Sequence, residues 1–214
     1  MKILITSGAT REPIDAVRFV SNVSTGSTGA ALADALARAG HEVTLLHGEG
    51  AVRPCAEGVV CGAFTSTENL GERMRAVLGG GTCDAVIQAA AVSDYRPEFS
   101  HGGKLSSHAD ELVVRLVPTP KLLPQLKSWS PRPVRVLGFK LTHGADDLAR
   151  AAAVGRLLTT GGVDAVVHND LQEMGAVGAG RTFRIYRPGD SSAAAHLAGV
   201  GSLCAWVDHW LGGA

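Results

Sequence analysis

Apolar and polar positions along the chain alternate between two rhythms. Lys2 to Thr6 is a short apolar run ended by the turn residues Ser7-Gly8-Ala9-Thr10, the pattern of a buried strand. Residues 26 to 39 carry Ala30, Ala31, Leu32, Ala35, Leu36 and Ala37, a helix-forming composition that Gly40 closes. His41 to His47 is a second strand and Gly58 to Phe64 a third. Thr67 to Leu78 is a helix opened by a capping box at Ser66 or Thr67 and stopped by Gly79-Gly80-Gly81. Asp84 to Ala91 is a fourth, nearly all-apolar strand. Further on, the rhythm resumes with a strand over Val134 to Phe139, a helix over 145 to 160, strands over Val163 to His168 and Thr182 to Tyr186, and a helix from about 191 to 211. Strands alternating with helices predict an α/β fold, a Rossmann-like, mostly parallel sheet flanked by helices, as a single domain over residues 1–214.

Two stretches break the rhythm. Arg11-Glu12-Pro13-Ile14-Asp15 is too polar and too interrupted by proline for regular structure. Residues 95 to 130 contain the glycine-rich Ser100 to Gly103, the basic Lys104, an alternating strand over Glu111 to Val117, and a turn at Pro118 to Lys121. A short amphipathic helix through Leu122, Leu123 and Leu126 follows. The section reads as an excursion from the sheet, a flap or a dimerisation arm.

Candidate chemistry concentrates in residues 18 to 29, between the first strand and the first helix. A cation, an amide, five hydroxyls and two glycines stand in those twelve positions. Gly26 and Gly29 let a ligand approach a helix N-terminus closely, so the stretch reads as an anion-binding loop with a catalytic amide; a polar N-cap after an ordinary loop is the competing reading. A dinucleotide fingerprint would set its glycines directly after the strand and an acidic residue near the end of the second strand. Here about twenty residues separate Thr6 from Gly26, and the second strand ends on His47-Gly48. The Tyr-x-x-x-Lys pair of one oxidoreductase class is also missing, since Phe99 and Asp190 stand four positions after Tyr95 and Tyr186. An NAD(P)-dependent oxidoreductase is therefore the weaker alternative. Ala89-Ala90-Ala91 leave room for a ligand at the carboxyl edge of the sheet, where open parallel sheets bind substrates.

Composition narrows the classes. Of 214 residues 45% are hydrophobic, enough for a substantial core, and 20 basic residues balance 20 acidic ones, with no electrostatic footprint of a nucleic-acid or membrane-surface binder. The N-terminus lacks the apolar core of a signal peptide and no run approaches a membrane span, which predicts a cytoplasmic protein. Cys55, Cys61, Cys83 and Cys204 form no Cys-x-x-Cys pair and the histidines lack ligand spacing, so free thiols are expected, and no role is assigned to His101, His108 or His143.

Taken together, the segments resemble the phosphopantothenoylcysteine synthetase (phosphopantothenate–cysteine ligase) family of coenzyme A biosynthesis, nearly end to end. The family's first pattern stands here as residues 8 to 29, its second as Ala89 to Arg96. Gly103-Lys104 matches its flap lysine, Val117 to Pro120 its turn, Gly138-Phe139 its base-binding strand end and His168-Asn169-Asp170 its last motif. The resemblance implies that the carboxylate of 4′-phosphopantothenate attacks the α-phosphate of a nucleoside triphosphate, and that the amine of cysteine then displaces the nucleotide.

In that scheme Asn22 donates to the developing oxyanion, Arg18 fixes a carboxylate or phosphate, and Lys104 neutralises charge. Ser24, Thr25, Gly26, Gly29, Ala91, Asp94, Lys104, Phe139 and Asn169 bind the nucleotide, with Mg²⁺. For Asp94 a helix cap or an ion pair with Arg96 competes with that contact; Phe139 also fits core, and Asn169 and Asp170 also fit a plain strand end. The chain departs from the family at Ser27, where bacterial members carry a lysine, and at Leu105-Ser106-Ser107. Near residues 153 to 160 a lysine cluster is replaced, leaving Arg156. Lys104 to Ser107 and Phe139 to Leu141 are closer to the eukaryotic form, so the nucleotide is CTP or ATP. Because the sequence opens on the ligase strand, the flavin-binding decarboxylase often fused in front is expected to be absent, and a stand-alone enzyme without flavin is expected. A homodimer is implied, with 95–130 as its arm. A divergent ligase for another carboxylate and amine is the remaining alternative.

Overall fold

The computed structural model describes residues 1–107, 110–173, 180–190 and 192–213; His108 and the expected start of the last helix at 191 lie outside them. In chain order the elements are β1 (Lys2–Ser7), β2 (Arg11–Pro13), β3 (Phe19–Ser21), α1 (Ser27–Arg38), β4 (Glu42–Gly48), β5 (Val60–Phe64), α2 (Thr67–Gly79), β6 (Ala85–Gln88), β7 (Tyr95–Pro97) and β8 (Leu116–Pro118). A 3₁₀ turn at Leu123–Gln125 then leads into α3 (Leu126–Trp129), followed by β9 (Arg135–Thr142), α4 (Asp147–Thr160), β10 (Ala165–Asp170), β11 (Thr182–Tyr186), β12 (Ala195–Ala198) and α5 (Gly199–Gly212).

Eight strands form one sheet in the order β12-β11-β10-β9-β6-β1-β4-β5, parallel except where β11 runs antiparallel to both neighbours. Alternation along the parallel strands feeds two cores. Ile3, Ile5, Ile87 and Leu137 face Leu32 and Leu36 of α1 and Leu203 and Val207 of α5. Leu4, Val86 and Val136 face Leu70, Met74 and Leu78 of α2, Leu126 of α3 and Val154 of α4. Covering both faces explains why the inner strands read as continuous apolar runs. From β1 the chain moves outward to β4 and β5, then returns to place β6 on the opposite side of β1, which makes the β1/β6 border the topological switch point of the sheet.

Most sequence-predicted elements form, and three corrections have physical reasons. The 11–15 stretch is not irregular: Arg11–Pro13 pairs antiparallel with Phe19–Ser21. Pro13 costs nothing at the end of so short a ribbon, and the buried Glu12 anchors it by accepting from the Thr67 amide (2.9 Å) and hydroxyl (2.7 Å) at the N-terminus of α2. The strand expected over Glu111 to Val117 shrinks to Leu116–Pro118 on β7, because this ribbon stands apart from the main sheet. Finally, Ala195–Ala198 is an edge strand on β11 before the last helix begins. Its alanines read as helix, but cross-strand pairing overrides propensity. Ser66 does cap α2, accepting from Asn69 at 3.2 Å.

Among the described residues no helix is long and apolar enough to cross a membrane. The four cysteines are free thiols, Cys83 buried and Cys55 and Cys61 exposed.

Candidate active site

The sheet builds the site by ending its strands at different heights. After Ser7 the chain leaves β1 and runs beside the segment that follows β6. Ala91 donates its amide to the Gly8 carbonyl (2.7 Å) and Thr10 donates back to the Ala91 carbonyl (3.3 Å). The buried Thr10 hydroxyl accepts from the Ser93 amide at 2.9 Å, and the Thr6 hydroxyl bonds Gln88 and the Ala90 amide. These bonds fix the two loops as one floor at the switch point.

Above it opens a cleft of about 1010 Å³, in the size range of small-molecule sites. Asn22, Ser24, Thr25, Gly26, Gly29, Ala91, Asp94, Phe139 and Asn169 all line it. Asn22 is exposed and donates from Nδ2 to the Val92 carbonyl at 3.2 Å, so one face of its amide is held against the floor. Gly26 precedes α1 with φ 76°, a left-handed conformation that a side chain disfavours. A Cβ at Gly29 would stand 2.4 Å from the Ser7 Cβ, so glycine is what lets α1 start against the end of β1. Ser27, Thr28 and Gly29, the first residues of α1, line the cleft and bring the positive end of the helix dipole to it, with the Ser27 amide donating to Thr25 Oγ1 at 3.4 Å.

Arg18 and Lys104 are not brought into the cleft lining. Arg18 pairs instead with the buried Asp15 (3.3 Å) and reaches the Leu105 carbonyl (3.4 Å). Asp15 also accepts from the amides of Val17 (2.9 Å), Arg18 (2.8 Å) and Leu105 (3.1 Å). The Val17 amide, with those of Leu105 and Arg18 and the guanidinium, outweighs burial and holds the Asp15 carboxyl below its ordinary range. Lys104 is exposed beside this clamp. Asp94 pairs with Lys121 rather than Arg96, and both are exposed.

Four cations that line the cleft are Lys121, Lys140, Arg156 and Arg181. Lys121, Lys140 and Arg181 received no role from sequence; Lys140 was legible as the neighbour of Phe139, whereas Arg181 had no local signal. Glu49, the acidic residue just past β4, pairs with Arg11 at 3.4 Å and does not line the cleft.

Beside Asn169, the buried His168 and Asp170 lock β9 to β10. Thr142 donates its hydroxyl proton to Asp170 (2.5 Å) and so accepts from His168 Nε2 (2.8 Å), leaving Nδ1 a buried acceptor without a partner. Burial opposes the Asp170 charge, but the Thr142 hydroxyl and the amides of Ala145, Gly144 and Gln172 prevail and hold its carboxyl far below the usual range. Burial, then Arg184 and Arg150, push His168 down to about 4. Asp170 is thus a structural clamp, whereas Asn169 lines the cleft.

Among the described residues no group of three or more His, Cys, Asp or Glu is arranged to hold a metal ion. Asp94 is the one acidic residue among those described that line the cleft. That donor set fits Mg²⁺ carried by phosphate oxygens and water with a single carboxylate, not a protein cage.

Comparison with known proteins follows the same lines. The sequence model of the DNA/pantothenate metabolism flavoprotein C-terminal domain matches residues 1–191. The coenzyme A biosynthesis bifunctional protein CoaBC of Thermococcus kodakarensis is 34% identical over 175 residues, 82% of this chain and 42% of that protein. The chain spans less than half the length of that curated relative. The crystal structure of a CoaBC C-terminal domain superposes with a TM-score of 0.75 at 26% identity, covering 99% of this chain and 95% of the other. A DNA/pantothenate metabolism flavoprotein from Streptococcus pneumoniae shares the fold with a TM-score of 0.87 at 24% identity, over 99% of this chain and 98% of the other.

Proposed function

The chain belongs to the DNA/pantothenate metabolism flavoprotein C-terminal domain family, and from that premise we propose that it is a ligase joining 4′-phosphopantothenate to cysteine through an acyl-nucleotide intermediate in coenzyme A biosynthesis. The observation that carries the reading is the Asn22 amide, held by Val92 at one end of a cleft that continues over the glycine loop of α1 and its surrounding cations.

The chemistry is two displacements. A carboxylate oxygen attacks the α-phosphorus of CTP or ATP, and pyrophosphate leaves with the electrons of the broken P–O bond. The amine of cysteine then attacks the acyl carbon, the C–O bond to the nucleotide breaks, nucleoside monophosphate leaves, and the amine proton passes to solvent. The first step needs alignment and charge neutralisation, which the amides and hydroxyls from Ser24 to Gly29 and the cleft cations supply. Mg²⁺ bound with the triphosphate would add charge neutralisation, and Asp94, the acidic residue of the cleft, would hold it. In the second step the Asn22 amide donates to the developing oxyanion.

Phe139, within β9 and partly packed on the core, and Asn169, near the end of β10, line the cleft and are assigned to the base. Arg18 acts as a positioning residue: with Asp15 it ties the Lys104-Leu105 segment to the hairpin of β2 and β3, so Lys104 enters from the arm. The arm exposes Phe99, Leu112 and Val113, the last 79% accessible, which supports a homodimer formed through it. This activity supports a cytoplasmic location.

The test is to incubate the protein with 4′-phosphopantothenate, cysteine and Mg²⁺, with CTP and in parallel with ATP. Pyrophosphate and amide product are expected in equal amounts with at least one nucleotide. No pyrophosphate with either contradicts the reading.

A further inference from the structure

The glycine loop brings no cation of its own. Between Arg18 and Arg38 the chain holds neither lysine nor arginine, and its one charge there is Asp34. Charge on a polyphosphate laid against the start of α1 must be met from another part of the chain. Arg181, just before β11, lines the cleft and donates from Nη1 to Thr28 Oγ1 at 2.7 Å, across 153 residues of sequence. Thr28 is the second residue of α1, so the guanidinium stands at the first helical turn, whose residues line the cleft with it. Ser7, packed against Gly29 of the same turn, keeps a buried hydroxyl without a partner.

Resting on the ligase reading above, we propose that Arg181 binds the polyphosphate of the nucleotide co-substrate and supplies the cation the glycine loop lacks. A guanidinium offers five N–H donors in a planar fork, and the bond to Thr28 occupies one. A neutral hydroxyl is a weaker acceptor than a phosphate oxygen, and the fork suits two phosphate oxygens at once. The other cleft cations are less well placed for this. Lys121 is held by Asp94, while Lys140 and Arg156 stand on β9 and α4. Arg181 thereby makes the site selective for nucleoside triphosphate over monophosphate, which favours release of the spent nucleotide.

The experiment titrates the full chain, with Mg²⁺, with a nucleoside triphosphate and its monophosphate, in the wild type, Arg181→Gln and Arg181→Lys. Glutamine keeps an N–H donor for Thr28 but removes the charge, so the tether and the fold are retained. Arg181→Gln is expected to weaken triphosphate binding by about 10- to 100-fold, the range for a charge-assisted pair, with monophosphate binding changed less than about threefold; Arg181→Lys recovers part of the loss. Triphosphate binding unchanged in Arg181→Gln, or both nucleotides weakened equally, overturns the assignment and makes Arg181 a tether alone. A wild type that binds no triphosphate overturns the ligase reading, and this inference with it.

Discussion

Asn22 shows how much a single side chain depends on what holds it. Its amide has two N–H groups, and giving one to the Val92 carbonyl orients the other. In Asn22→Asp the donor is lost and a carboxylate meets that carbonyl, while the glycine loop is untouched. Acyl-nucleotide formation, read as pyrophosphate release, is expected to persist while amide formation falls on the order of 10²-fold; loss of both together would remove Asn22 from the second step. The cleft residues from Asn22 to Gly29 were legible because a polar, glycine-bearing run between an apolar strand and helix has no core to join. Lys121 and Arg181 were not, because their partners Asp94 and Thr28 lie 27 and 153 residues away and a lone cation in a loop looks like any solvated one. Arg18 was legible as part of a motif, but its engagement by Asp15 depended on a turn and on Leu105, which only the fold brings close.

At the scale of elements, the start of α1 and the β9–β10 lock carry separate predictions. Gly29→Ala forces a methyl to within 2.4 Å of the Ser7 Cβ, so α1 must shift from β1. A destabilisation of about 1–3 kcal/mol is expected for such overpacking, visible as a lower denaturant midpoint; an unchanged midpoint would show that α1 does not start against β1. For the lock, His168 titrates near 6.5 when unfolded and about 4 when folded, so the unfolded chain binds more protons between those values and stability rises with pH across them. Falling pH should therefore cost about 3 kcal/mol from His168 between pH 6.5 and 4. Asp170, whose folded carboxyl is depressed, adds a further loss as pH drops below its ordinary range. Urea midpoints measured against pH test this, and His168→Asn should flatten the upper part of the curve. The elements misread in sequence share one cause. Glu12 and Pro13 gain a strand from Phe19 to Ser21 and an anchor on Thr67, and Ala195 to Ala198 gain one from β11; none of these partners lies within the stretch itself.

For the molecule as a whole, the alternation of apolar runs and helical stretches was enough to predict a two-sided parallel sheet, because each buried strand and each capped helix carries its own pattern. How the strands order, and hence that β1 and β6 meet at the switch point beneath the cleft, follows from pairing that no single stretch encodes. The arm that leaves this sheet exposes Val113 and Phe99, and Val113→Asp is expected to shift the protein toward monomer in light scattering and to lower activity if Lys104 serves the neighbouring subunit. A monomeric wild type would refute the arm as an interface. In the proposed reaction one oxygen of the 4′-phosphopantothenate carboxylate becomes part of the departing nucleotide. With 4′-phosphopantothenate carrying oxygen-18 in its carboxylate, mass spectrometry of the nucleoside monophosphate formed with cysteine should show one heavy oxygen per molecule. Unlabelled monophosphate, released while amide product accumulates, would contradict the acyl-nucleotide route.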